Sequence, residues 1–231
     1  MAKHRSKRYQ QAAEMVDDEK VYSIEEAVEL VKKLPAPKFD QTVTLSFRMG
    51  VDPRQSDQMV RGTCPLPHGS GKDVRVIVFA EGEAATEAKN AGADHVGLEA
   101  LIKEVQDGFS DFDAVVATPS AMSEVRKLGR QLGPRGLMPN PKTGTVTDDT
   151  AGAVKAVKAG RIDFRLDKNG NIAVPIGKAS FEETALVENG RAVIDAIHAA
   201  RPASAKGFFI VNGALAGTMT PGLKIDLSAW N

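Results

Sequence analysis

The chain has 231 residues, 42% apolar and 26% charged, which is ordinary for a soluble globular protein of one large domain or two small ones. Its 30 basic and 30 acidic residues cancel, so the net basic field usual for nucleic-acid binders is missing and any such role must rest on local charge. Aromatics at 5% argue against a surface of many stacked rings, the lone Cys64 excludes an internal disulfide, and His4, His68, His95 and His198 show no metal-ligand spacing.

The N-terminus is basic (Lys3, His4, Arg5, Lys7, Arg8) and runs into Gln10 and Gln11 rather than an apolar core, so it is not a secretory signal. Runs such as Val76 to Ala80 are too short to span a bilayer, and the single cysteine fits a reducing, cytoplasmic compartment. The first clear element is a helix. Ser23 and Glu26 form a capping box, Ile24, Ala27, Val28, Val31 and Leu34 recur at helical spacing, and Pro35 and Pro37 stop it. A strand follows, with Val43, Leu45, Phe47 and Met49 on one face and Thr42, Thr44, Ser46 and Arg48 on the other. The apolar set is expected on the core, which leaves three hydroxyls and a guanidinium pointing outward.

Pro65 to Gly71 reads as a linker. Beyond it, apolar strands at Val74 to Ala80, His95 to Gly97 and Ala114 to Ala117 alternate with helices at Glu83 to Ala91, Leu98 to Val105 and Ser120 to Leu132. That alternation indicates a parallel α/β layer. A loop from Gly133 to Gly144 and a helix from Thr150 to Ala159 complete this stretch. Then Arg161 to Leu166 and Ile172 to Pro175 flank the hairpin signal Asn169-Gly170. Phe181 to Ala200 is a long helix, and Gly207 to Ala214 and Leu223 to Leu227 read as strands.

The texture changes near residues 67 and 160. The outer pieces share a mixed β character, and each is small for an independent core. An insertion of one domain into another is the natural reading, with three consecutive domains as the alternative.

Few motifs suggest catalysis. Gly69-Ser70-Gly71-Lys72 lacks the leading glycine and trailing hydroxyl of a phosphate-binding loop and precedes a strand instead of following one. Asp148-Asp149 stands where acids cap a helix, and Asp111 and Asp113 read as solvated loop charges. No dinucleotide fingerprint follows any strand. Two local surfaces suit RNA. One is the polar face of the 42–48 strand, although β-propensity alone also favours Thr and Ser there. The other is the span Val125 to Thr147, which carries Arg126, Lys127, Arg130, Arg135 and Lys142 and no acid; its plain alternative is a solvated helix face and a rigid loop. A small-molecule α/β enzyme is the competing class, supported only by fold-level analogy. An interaction scaffold without RNA contact is a third.

The segment Leu128-Gly129-Arg130-Gln131-Leu132-Gly133-Pro134-Arg135-Gly136-Leu137-Met138-Pro139-Asn140-Pro141-Lys142 closely resembles the signature of the first-numbered family of large-subunit ribosomal proteins, in its bacterial branch. The resemblance extends over nearly the whole chain, through Lys38-Phe39-Asp40, Gly50 to Arg54, Gln58 to Gly62, Leu66 to Gly69, Asp111 to Pro119, Ala159 to Ile162 and Gly177 to Phe181. It implies an α/β protein of two domains: a discontinuous α+β RNA-binding domain from residues 1–67 and 160–231, and an inserted Rossmann-like α/β domain from 68–159. It also implies a non-enzymatic role in the ribosomal stalk. There the chain would bind large-subunit ribosomal RNA, assist release of deacylated tRNA from the exit site, and repress its own operon mRNA. No cofactor, metal or membrane partner is expected, and the chain is expected to be a monomer off the ribosome. The RNA contacts implied are Lys38, Phe39, Thr42 and Arg48, then Arg165 and Lys168, then Thr218, Met219 and Thr220. At the last position the family carries glycine, so Thr220 departs from the pattern. By count, the outer pieces each carry about +1 and the middle about −2, so steering by overall charge is weak.

Overall fold

The computed structural model describes residues 5–230, apart from the side chains of Ser56, Lys142 and Ala229. The basic residues Lys3 and His4 lie outside it. The described chain divides into two compact units: one from the residues up to Gly71 together with those from Ile162 onward, the other Lys72–Arg161.

The first unit is built on a four-stranded sheet in the order β7-β1-β8-β9, from β1 (Thr42–Met49), β7 (Asn171–Lys178), β8 (Ile210–Gly217) and β9 (Leu223–Lys224). Its ladders are antiparallel, with β1 central between β7 and β8. Period two places Val43, Leu45 and Phe47 inward, where they are buried with Ile172, Val174 and Ile176 of β7. Helices α2 (Ile24–Lys33) and α8 (Glu183–Ala199) supply Ile24, Val28, Val31, Leu186, Val193 and Ile197 to the same core. Full burial of each such side chain is worth about 1.5–3 kcal/mol. Ser23 caps α2 through the Glu26 N–H at 3.2 Å, so the capping box forms as its sequence requires. Because the core lies on one face, Thr42, Thr44, Ser46 and Arg48 are left half-exposed or exposed on the other.

Three expectations for this unit change. An additional helix, α1 (Lys7–Glu14), precedes α2, capped by Ser6; its sequence has too few apolar residues to show a buried face, and Ala12 is the residue it buries. The strand read as ending at Pro175 runs on to Lys178. Proline is tolerated there because β7 is an edge strand and its register with β1 shifts at that point. The Asn169-Gly170 turn forms, with Gly170 at φ +80° and its N–H bonded to Asp167 O at 3.3 Å. The strands beside it do not make a simple hairpin, because β6 (Ile162–Arg165) pairs with β2 (Arg61–Cys64) while β7 pairs with β1.

Pro65 to Gly71 is more than a tether. The buried Asn189 side chain on α8 accepts the His68 N–H at 3.1 Å and donates to Gly69 O at 3.0 Å and Ile176 O at 2.8 Å. Those bonds hold the segment against the first unit, which therefore extends to Gly71.

The second unit has a parallel sheet in the order β4-β3-β5, from β3 (Val76–Phe79), β4 (His95–Gly97) and β5 (Ala114–Ala117). Val76 and Val78 face α3 (Gly82–Asn90) and α7 (Thr150–Lys158), in a cluster with Ala88 and Val154. Ile77 and Phe79 face the opposite cluster with Leu101 and Ile102 of α4 (Glu99–Gln106). Burial on both faces explains the continuous apolar run of β3. The helix expected over Ser120 to Leu132 is instead α5 (Met122–Val125), a 3-10 turn and α6 (Gly129–Leu132). Gly129 is a poor helix former, yet Val125, Leu128 and Leu132 still reach one core.

Candidate nucleic-acid interface

The outward face of β1 ends in two differently built clusters. Thr42 and Arg48 stand six positions apart on β1, about 20 Å at strand spacing.

At the Thr42 end, distant parts of the chain meet. The Thr218 hydroxyl accepts the Thr42 N–H at 3.1 Å and donates to Thr42 O at 3.2 Å. The Thr42 hydroxyl accepts from Lys178 Nζ at 3.1 Å, because the register sets Lys178 opposite it. Asp40 accepts from Ser180 N and Oγ at 3.1 and 2.8 Å, which anchors the loop that carries Lys38 and Phe39. Phe39 and Met219 are each 50% exposed, large apolar side chains on adjoining loops. The Gly217–Thr220 turn is closed by the Thr220 hydroxyl, which accepts the Gly217 N–H at 2.8 Å. No described non-glycine residue has positive φ, so the backbone at Thr220 does not need the glycine of the family pattern. Its hydroxyl points back into the turn.

At the other end, Arg48 lies between Asn171 of β7 and Asn212 of β8. These three residues line an open depression with Ser46 and Ala214. Met49 N donates to Gly170 O at 2.8 Å, which seats the turn bearing Lys168 beside the end of β1. The Asp167 carboxylate in that turn accepts backbone N–H groups of Asn171 and Asn169, and these hold it below its ordinary range. Arg165 is exposed and directly opposite Arg61 in the β2–β6 ladder. Between the two clusters, β1 carries Thr44 and Ser46 opposite Pro175, Ala173, Ala216 and Ala214. Small side chains leave that strip low, so a nucleic-acid backbone can approach the sheet closely.

The structure thus gathers Lys38, Phe39, Thr42, Thr218, Met219 and Thr220 at one end and Arg48 and Lys168 at the other, with Arg165 on the neighbouring ribbon. Lys178, Asn171, Asn212 and Arg61, which no sequence motif singles out as site residues, stand on the same surface. Each joins the surface only through strand register, and the Gly177-Lys178 stretch was the one local signal available.

The basic span of the second unit changes character. Lys127 pairs with Glu124, which stands just outside the acid-free window. Arg135 donates to Ser110 O at 3.2 Å and lies 5.7 Å from the Phe112 ring centroid. Both are partly engaged in holding the fold, while Arg126 and Arg130 remain exposed; the Lys142 side chain lies outside the described residues. Asp111 and Asp113 are not merely solvated: Arg75 pairs with both and Lys72 with Asp113. Asp149 caps α7 through the Gly152 N–H at 2.8 Å. Among the described residues, no group of three or more His, Cys, Asp or Glu could hold a metal ion. No described helix is long and apolar enough to cross a membrane.

Two comparisons bear on this surface. The chain is similar to the large ribosomal subunit protein uL1 of Bifidobacterium longum subsp. infantis, with 57% identity over 222 residues, 96% of each chain. Residues 30–221 match the model of the ribosomal protein L1p/L10e family. That match includes β1, the Lys38–Phe39 loop and the Thr218–Met219 turn, and on both counts the chain belongs to the ribosomal protein L1p/L10e family.

Proposed function

We propose that the chain is a non-enzymatic constituent of the large ribosomal subunit that binds a folded stalk element of the large-subunit ribosomal RNA through the outer face of β1 and the loops at its ends. The observation that carries this reading is the joining of Thr42 to Thr218 beside the exposed Phe39 and Met219. A preformed edge of hydroxyls and small side chains suits RNA, whose shape and 2′-hydroxyls are read by such groups. Phe39 and Met219 offer apolar contact to ribose and base faces, and Arg48, Arg165 and Lys168 offer phosphate contacts at the far end. The relative's name as a large-subunit protein supports the assembly and with it a cytoplasmic place on the ribosome.

Within this reading, the two compact units act as a discontinuous α+β RNA-binding domain and an inserted Rossmann-like domain. The helix-flanked parallel sheet of the second unit supports the latter. The same face serves the chain's own operon mRNA where that RNA repeats the ribosomal element, and the stalk so formed accompanies deacylated tRNA from the exit site. Off the ribosome the chain acts as a monomer.

Filter binding of the purified chain tests the reading, with a stalk RNA fragment, an operon-leader RNA and a duplex of equal length. Saturable binding of the first two, with the duplex at least tenfold weaker (about 1.4 kcal/mol), is expected. Equal affinity for all three would reduce the surface to non-specific binding.

A further inference from the structure

We infer that α1 belongs to the RNA-binding surface and that Arg8 is its positioning residue, a clasp between the two loops that carry the contacts; this rests on reading the Thr42 end as the RNA site. Helix α1 has little reason to dock through its core, since Ala12 is the residue it buries. Its tie to the fold is polar. The Arg8 guanidinium donates through one NH2 group to Pro35 O at 3.0 Å and through the other to Met219 O at 2.9 Å. Pro35 opens the loop that leads to Lys38 and Phe39, and Met219 is itself an exposed residue of the opposing turn.

The acceptors are 184 positions apart in the chain, and neither is an acid. The planar fork of arginine fixes the angle and spacing of its donors, so one side chain sets the separation of both loops. A lysine at this position has one ammonium centre and cannot match two diverging carbonyls in the same way. Arg8 forms no ion pair among the described residues, so its guanidinium is committed to the two carbonyls. Arg5, just before the Ser6 cap and 4.3 Å from the Tyr9 ring centroid, and exposed Lys7 in the first turn add cations at the start of the helix. A preset gap between Phe39 and Met219 removes ordering cost that RNA binding would otherwise bear.

The test uses the full chain with Arg8→Ala and Arg8→Lys, the stalk RNA fragment, a salt titration, and amide hydrogen exchange without RNA. Arg8→Ala is expected to weaken binding roughly tenfold while the slope of log affinity against log salt stays at the wild-type value. Arg8→Lys is expected to recover only part of the loss. Exchange should rise in the 36–41 and 218–220 loops of Arg8→Ala and stay unchanged at the β1 amides. Wild-type affinity in Arg8→Ala would overturn the inference. So would a slope reduced by about one with full rescue by lysine, which would make Arg8 a direct phosphate contact. Exchange that rises through β1 as well would make it a plain stability residue. If the wild-type chain itself does not bind the RNA, the functional reading fails, while the exchange comparison still decides whether the clasp exists.

Discussion

Thr42 and Thr218 have the same side chain, and the structure gives them different tasks. The Thr218 hydroxyl both accepts from and donates to the Thr42 backbone, so its bonding is largely spent inside the fold. The Thr42 hydroxyl accepts from Lys178 and keeps its own proton for a partner outside. Thr42→Val is therefore expected to weaken RNA binding by about 1 kcal/mol or more with an unchanged unfolding midpoint. Thr218→Val is expected to lower stability by about 1–2 kcal/mol and to weaken RNA binding through loss of the strand-end geometry. Urea unfolding and filter binding on the same preparations check both. Equal stability loss in the two variants would contradict the division of roles. The sequence showed both threonines as polar and outward, but which hydroxyl was already occupied depended on a contact across 176 positions.

At the scale of elements, the outer face of β1 is available because α2 and α8 both pack on the inner one. Asn189 then fixes where the first unit's chain leaves toward the second. Its buried amide satisfies a donor on the 66–71 segment and acceptors on that segment and on β7. Asn189→Ala removes all of these at once and strands buried polar groups, so a loss of about 3 kcal/mol is expected. Denaturant unfolding measures it, and a loss below 1 kcal/mol would mean that water replaces the amide. The alternation of β1, the capping box of α2 and the buried strands of the second unit were all legible locally, since period and cap chemistry act over a few residues. Helix α1 was not legible, because it docks through the Arg8 side chain and not through an apolar stripe. The broken helix at 122–132 was not legible either, since its apolar spacing survives the 3-10 turn.

Over the whole molecule, opposite charges balance at 30 each, so the proposed site draws RNA through local cations, with Lys38, Arg48, Arg165 and Lys168 as its phosphate contacts. About four phosphate contacts predict a slope of log affinity against log salt near −3 to −4, and a slope near −10 would contradict a shape-led site. Acid stability follows from the carboxylates. Lys72 beside Asp113, aided by the Arg75 N–H and side chain and opposed by partial burial, holds its carboxyl below the ordinary 3.8. Burial pushes Asp94 up, but the Val76 N–H and Lys158 outweigh it and leave that group lowered as well. Groups depressed in the folded state stabilise it above their unfolded values, and the contribution fades as pH falls through the folded ones. Unfolding free energy is thus expected to be flat in these groups above about pH 5 and to drop below about pH 4. Asp113→Asn is expected to be less stable at neutral pH and to show a shallower acid decline. Urea melts across that range test the sign; an identical acid decline in the variant would remove Asp113 from the account.

By itself the sequence determined the faces of β1, the parallel α/β texture between about residues 68 and 159, and the absence of a global basic field. These are set by composition and by periodicities of two and 3.6, which neighbouring residues express without help from the rest of the chain. It also carried the family resemblance that the comparisons bear out. Only the tertiary structure decided that Thr42 is joined to Thr218, that Arg48 stands between Asn171 and Asn212, and that Arg8 reaches both Pro35 and Met219. Those juxtapositions come from strand register and loop closure between distant segments, and no local pattern encodes a register whose partner strand lies more than a hundred residues away.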